Sequence, residues 1–266
     1  EPNTRIERVV RHVALDQYPA YFQREVAANA SVLLYNADLL PPHYNAPRAI
    51  SWVHSEQPPT RKERLVPHGL DYRLDRNLLW AISELPGGAY LREGVVDRAL
   101  LSGKAVLWRN YEASADAASL EPRSRRDTTY LLQEYFVPPA NFLPFVKAMA
   151  GILARHRVNA LNVSIRHAPA DTVSLLKWAA GEVFSFVIYY KQGSRPSADA
   201  AAGAWTRELI DVALANGGRY YLPYRLHATR EQFERAYPEA AMFQKLKQRV
   251  DPQRRLRNLM WEKYRV

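Results

Sequence analysis

Residues 129 to 224 alternate between strand-like and helix-like runs in an order that few folds accommodate. Thr129 to Val137 reads as a strand and stops at Pro138-Pro139, because proline has no N–H for a sheet ladder. Ala140 to His156 follows, with Phe142, Phe145, Val146, Met149 and Leu153 on one helical stripe. Ala160 to His167 is strand-like again. After a loop or short helix through Lys177-Trp178, Glu182 to Lys191 gives the strongest strand signal of the chain, built from Val183, Phe184, Phe186, Val187, Ile188, Tyr189 and Tyr190. A helix over about Asp199 to Ala215 and a strand over Tyr220 to Tyr224 complete β-α-β-β-α-β, the split βαβ or ferredoxin-like order. The pattern predicts an α+β fold: a ferredoxin-like antiparallel sheet with helices on one face, plus additional N-terminal and C-terminal helical elements. Such a sheet leaves its other face for something else.

The flanks are read from punctuation. Tyr18, Tyr21, Phe22 and Val26 predict a helix over Gln17 to Asn29, and Val32 to Tyr35 and Ala49 to His54 predict two short strands. Residues 56 to 68 are a proline-rich, charged loop. Leu74 to Leu101 reads as a helical hairpin interrupted at Pro86-Gly87-Gly88, and 111 to 127 as a polar loop. Gly217 and Gly218 stop the preceding helix, since glycine takes positive φ at no steric cost. Thr229 and Gln232 form a capping box, and Asp251-Pro252 is expected to open the last helix. The expected division is 1–128 (an N-terminal part with the hairpin), 129–224 (the sheet core) and 225–266 (a helical segment that closes the site).

Composition narrows the functional classes. With 266 residues, 47% hydrophobic, the chain can bury a substantial core, and with no cysteine it has no disulfide, thiolate metal site or cysteine nucleophile. No apolar run approaches the ~20 residues of a membrane span. The seven histidines show no paired ligand spacing, so no metal site is expected. A net charge of +10 suits nucleic acid, an anionic membrane surface or an acidic substrate. Its densest part, from Lys245 through Lys247, Arg249, Arg254, Arg255 and Arg257 to Arg265, reads first as a solvated helical face. A basic ferredoxin-like nucleic-acid-binding module is the alternative function. It is disfavoured because neither EYFVP nor VFSFVIYY carries the glycine-aromatic signature of RNA-binding sheets.

The last 50 residues supply a more specific order. A GGR strand at Gly217 is followed by a polar and basic segment, then Phe233 with Tyr237-Pro238, then Lys247 with Asp251-Pro252, then an aromatic finish from Trp261 to Tyr264. This order resembles the C-terminal substrate or cap domain of the FAD-linked oxidases of the vanillyl-alcohol-oxidase type, in particular the aldonolactone, alditol and decaprenylphosphoryl-ribose oxidase branch. The resemblance implies a sheet that covers the flavin ring, and oxidation of a CH–OH group of a sugar, lactone, polyol or related compound. FAD is then expected to be bound mainly by a domain absent from this chain, since no histidine or glycine-rich flavin-attachment segment stands at its start. The implied partners are a small-molecule alcohol or sugar-like substrate and the protein's own N-terminal FAD-binding domain. The isolated chain is expected to be inactive, and its location cytoplasmic or membrane-peripheral.

Three segments carry the candidate chemistry implied by the resemblance. Glu134, in Gln133 to Pro138, matches a substrate-side glutamate; charged strand residues are usually exposed, so it reads equally as a solvent-facing carboxylate. Arg166 falls at the arginine of an E-I-R strand, with Ser164 in place of the acidic neighbour, and strand alternation puts both on one face. A guanidinium there can fix a polyol hydroxyl or a developing alkoxide. Tyr189 matches a hydroxyl-bearing substrate contact and reads equally as core. In Tyr221 to His227, relatives place a lysine whose slot falls on Tyr224 or Arg225. Arginine is not a base near neutral pH, so Tyr224 or His227 is the expected proton acceptor, with Tyr221 a substrate contact; packed tyrosines and a paired Arg225 are the equal alternative.

Overall fold

The computed structural model describes residues 3–84, 101–115, 120–122 and 124–264. In chain order the elements are β1 (Arg5–His12), α1 (Tyr18–Phe22, continued by a π turn over Gln23–Ala27), β2 (Val32–Leu39), β3 (Arg48–His54), α2 (Arg73–Glu84), β4 (Val106–Trp108) and α3 (Arg109–Ala113). Then come β5 (Thr128–Val137), α4 (Phe142–Arg155), β6 (Asn159–Ala168), β7 (Val183–Gly193), α5 (Pro196–Ala215), β8 (Arg219–Tyr220), α6 (Arg230–Ala236), α7 (Ala240–Val250) and α8 (Leu259–Tyr264).

The strands form one eight-stranded sheet in the order β4-β1-β3-β2-β6-β7-β5-β8, and the recorded strand pairs are antiparallel. The β6-β7-β5-β8 half is the ferredoxin-like arrangement. Its alternation decides what faces what. Phe184, Phe186, Ile188 and Tyr190 of β7 turn to the helices and are at most 1% exposed. There Phe186 meets Phe142 and Phe145 of α4 at ring separations of 5.5 and 4.7 Å, and Tyr190 meets Trp205 of α5 edge-on at 4.9 Å. Both helices therefore cover the same face, and the intervening residues Ser185, Val187 and Tyr189 turn to the other.

The sheet extends past the predicted block. β1 was masked in the sequence by Arg5, Glu7, Arg8 and Arg11, yet it pairs with β3 and β4. β2 pairs with β6 through Ala37, Asp38 and Leu39, which fuses the N-terminal strands to the core sheet. A bulge in β6 between Ala160 and Asn162 opposes Ala160 to Tyr190 but Asn162 to Tyr189. That extra residue changes which side chains reach the helix-free face.

Several expectations need correction. The strand expected over Tyr220 to Tyr224 is the two-residue β8, because Tyr221 donates its N–H to the Glu134 carbonyl and Pro223 then has no N–H to extend a ladder. Asp251-Pro252 does not open a helix. The Asp251 carboxylate accepts from the N–H groups of Arg255 and Leu256 at 2.9 and 3.0 Å, which holds a turn, and α8 starts after Asn258, whose side chain accepts from Trp261 N–H at 2.8 Å. The expected loop over 111–127 begins inside α3. The first arm of the hairpin is α2, and the second lies outside the described residues. Lys247, placed by sequence on a solvated face, binds Asp251 and the Leu256 carbonyl. Among the described residues no helix is long and apolar enough to cross a membrane.

Candidate functional site

The helix-free face carries polar side chains in transverse rows. One row runs Arg48, Asp38, Ser164, Val187, Glu134 across β3, β2, β6, β7 and β5; on either side lie Asn162 opposite Tyr189, and Arg166 opposite Ser185. Over this face opens a cavity of about 1270 Å³. Asn162, Ser164, Arg166 and Tyr189 line its floor, and Leu78, Leu79 and Ile82 of α2 form an apolar wall. Helix α2 is tied down at its last turn, where Ser83 shares a 2.9 Å hydrogen bond with the Tyr130 hydroxyl and its carbonyl accepts from Asn159 at 2.9 Å.

The predicted residues fall into two groups. Arg166, Ser164, Tyr189 and Tyr224 line the cavity, and Glu134 and Tyr221 adjoin it through Tyr224. Arg166 is exposed and makes no hydrogen bond or ion pair among the described residues. Glu134 accepts a 2.5 Å hydrogen bond from Ser185 Oγ. Burial pushes the Tyr224 phenol up, the Glu134 carboxylate adds to this, and the Arg166 guanidinium opposes it. The phenol is therefore kept protonated near neutral pH. Tyr189 donates its hydroxyl to the Leu120 carbonyl, which leaves it only acceptor capacity. Tyr221 stacks edge-on between Phe136 at 5.8 Å and Tyr224 at 5.1 Å, and Trp178 extends this aromatic wall.

The second group gathers at the first turns of α5. Arg225 Nη1 and His227 Nε2 lie 3.7 and 3.9 Å from Asp199 Oδ1. Burial pushes the His227 imidazole down, against the opposing Asp199 carboxylate and with help from the nearby Lys263, Arg225 and Arg207 charges. Its Nε2 is buried without a hydrogen-bond partner among the described residues. A neutral ring with a free nitrogen can accept a proton.

Sequence reasoning missed Asn162, Asp38, Ser185 and the α2 wall. Asn162 precedes Ser164 by the strand period and was within reach of the alternation argument. Asp38, 126 residues from the Ser164 hydroxyl that it accepts, had no local signal. Among the described residues no group of His, Cys, Asp or Glu is placed to hold a metal ion.

The family model described as D-arabinono-1,4-lactone oxidase matches residues 43–264. No curated protein matches the chain. Among solved structures, a solvent-stable cholesterol oxidase is similar at a TM-score of 0.56 with 14% identity, over 100% of this chain and 60% of that one. The 6-hydroxy-D-nicotine oxidase of Arthrobacter nicotinovorans matches at a TM-score of 0.42 with 15% identity, over 99% of this chain and 55% of that one. The chain thus spans 60% or less of the length of the solved proteins it resembles.

Proposed function

Because the chain belongs to the D-arabinono-1,4-lactone oxidase family, we propose that it forms the substrate-binding cap of an FAD-dependent oxidoreductase that oxidises an alcohol carbon of a sugar, lactone, polyol or related compound. The observation that carries this reading is Arg166, an exposed guanidinium with no ion pair among the described residues, set beside Ser164 on the helix-free face and acting on Tyr224 together with Glu134. A charge left unpaired in a cavity is ready for a ligand's oxygen. In this reading residues 129–224 supply the cavity floor, 1–128 extend the sheet and add the α2 wall, and 225–266 close the rim.

The donor set fits the edge of a flavin ring, since the several N–H groups of Arg166 can meet its carbonyl and nitrogen acceptors. It does not fit the pyrophosphate. Among the described residues the adjacent glycines are Gly217 and Gly218, and they finish α5 instead of starting a helix. The nucleotide part of FAD is accordingly assigned to a domain outside this chain. Held against Arg166, the flavin would supply the acceptor for the hydride of the alcohol carbon.

The chain's residues do the rest. Arg166 holds the reacting oxygen and stabilises the negative charge that develops on it. Tyr224, kept protonated, gives its one hydrogen to Glu134, which leaves its oxygen to accept from a substrate hydroxyl. His227, kept neutral, is the proton acceptor in the cavity, and Arg225 beside Asp199 adds positive potential. Ser164, Tyr189 and Tyr221 shape the substrate contacts. The test is anaerobic stopped-flow reduction of the parent flavoenzyme by D-arabinono-1,4-lactone, xylitol and related alcohols. Reduction by any of them supports the reading. A parent protein without flavin, or one that no alcohol reduces, overturns it.

A further inference from the structure

Helix α7 turns one face to the body of the protein and the others to water. Ala240, Phe243, Gln244 and Lys247 make the inward face: Phe243 packs on the main hydrophobic core, and Lys247 binds Asp251 and lies 5.5 Å from the centre of the Trp261 ring. Met242, Leu246 and Val250 recur every four residues, so they stand in one stripe along the helix, and they are 40% to 67% exposed. Lys245 and Arg249 form a second exposed row beside that stripe. Beyond the helix, the Asp251 turn carries Arg254, Arg255 and Leu256, all exposed. That turn is fixed against the end of α7, because Asp251 accepts from the Arg255 and Leu256 N–H groups and Lys247 donates to the Leu256 carbonyl. The side chains of Lys245, Arg249, Arg254 and Arg255 make no ion pair or hydrogen bond among the described residues.

Aliphatic side chains in a contiguous exposed stripe call for a cover, and the unpaired cations beside them restrict what it can be. A second copy of the chain would set the cations against their like. A domain laid over the sheet cavity would meet other residues, since none of α7 lines that cavity. Single-stranded nucleic acid would neutralise the cations but leave the stripe unused, because bases stack on aromatic rings and this stripe has none. An anionic lipid surface takes both parts at once, the cations at its headgroup phosphates and the aliphatic stripe at the acyl boundary. We propose that α7 and the Asp251 turn dock the protein on a bilayer that exposes anionic phospholipid. Met242, Leu246, Val250 and Leu256 enter the headgroup region, and Lys245, Arg249, Arg254 and Arg255 meet the phosphates. The attachment is peripheral, with α7 lying in the plane of the interface. It is independent of what the sheet cavity binds.

The experiment is co-sedimentation of the full-length protein with vesicles of phosphatidylcholine alone and of an equal mixture of phosphatidylcholine and phosphatidylglycerol. A melting curve and a sedimentation-velocity run accompany each variant. Wild type is expected to bind the mixed vesicles only, and less tightly as salt rises. The double variant Lys245→Gln, Arg249→Gln should bind about thirtyfold more weakly, at about fivefold for each surface cation. The double variant Leu246→Ser, Val250→Ser should bind about tenfold more weakly. Both should melt with wild type, because the four side chains face water. Wild-type protein that binds neither vesicle overturns the proposal. Binding that the charge variant loses and the apolar variant keeps also overturns it, since a site for RNA or another polyanion behaves in that way. A lower melting temperature, or a lost self-association, in the apolar variant assigns the stripe to another part of the protein or to a second copy, and overturns it too.

Discussion

Ser185 Oγ and Glu134 Oε1 are joined by a 2.5 Å hydrogen bond across the β5–β7 pair. Ser185 is 3% exposed, so the bond is made largely out of water and is charge-assisted. Ser185→Ala is expected to cost about 2 kcal/mol in urea denaturation, the usual worth of a bond to a charged group. A loss within a few tenths of a kcal/mol would mean that water replaces the hydroxyl.

Glu134 also acts on Tyr224. Burial is the largest cause of that phenol's raised pKa, and the Glu134 charge is the next. Glu134→Gln removes the second and keeps the first, so the Tyr224 pKa should fall part of the way back toward 10.0. Ultraviolet titration against a Tyr224→Phe reference reads it. A pKa that does not move would separate the two residues.

Arg166 is exposed and unpaired among the described residues, so its removal breaks no structural bond. In the complete enzyme Arg166→Ala should slow flavin reduction by about 3 kcal/mol, the cost of losing one transition-state donor, with a melting temperature close to wild type. Normal reduction by the folded variant removes Arg166 from the chemistry.

His227 gives a pH signature. Its folded pKa lies below 6.5, so the unfolded chain binds the proton more readily. The stability contributed by the neutral ring is complete above about pH 6.5 and declines as the pH falls through that value. Melting curves of wild type and His227→Gln from about pH 8 to pH 5 should diverge on the acid side. Parallel curves would show that the ring titrates as it does in solution.

The half of the sheet built by residues 129–224 was legible because its apolar residues repeat at strand and helix periods, and those periods also put Ser164 and Arg166 on one face. The N-terminal half was not. β1 is crowded with charge because it lies near the sheet's far edge, and β4 is too short to show a period. Alternation alone was also misleading next to the β6 bulge. Ala160 and Asn162 share a parity but face opposite sides, so alternation groups Asn162 correctly with Ser164 and Arg166 and misplaces Ala160. Asp38 shows the limit most clearly: its hydrogen bonds with Asn162 and Ser164 come from pairing β2 with β6, a long-range fact that no local window contains.

Gly217 and Gly218 look alike in sequence and do different things. Gly217, at φ +69°, takes the left-handed turn that ends α5, and its N–H reaches the Leu214 carbonyl at 3.1 Å while Gly218 N–H reaches the Ala213 carbonyl at 2.8 Å. Together these bonds close the helix end. Gly218 is constrained by space instead. A Cβ there would lie 2.2 Å from the Phe136 carbonyl oxygen and 2.9 Å from that of Ala213, both backbone atoms that cannot swing aside. Gly218→Ala must therefore push β8 off β5, whereas Gly217→Ala meets only Pro138 at 3.8 Å and carries a dihedral cost alone. We expect Gly217→Ala to lose about 1 kcal/mol and Gly218→Ala about 3 kcal/mol in chemical denaturation. Because the β8 strand leads directly into Tyr221 and Tyr224, Gly218→Ala should also disturb the cavity rim and weaken ligand binding in whatever fraction folds. Equal losses for the two variants would show that backbone dihedral, and not the close approach to β5, sets the requirement for glycine at both positions.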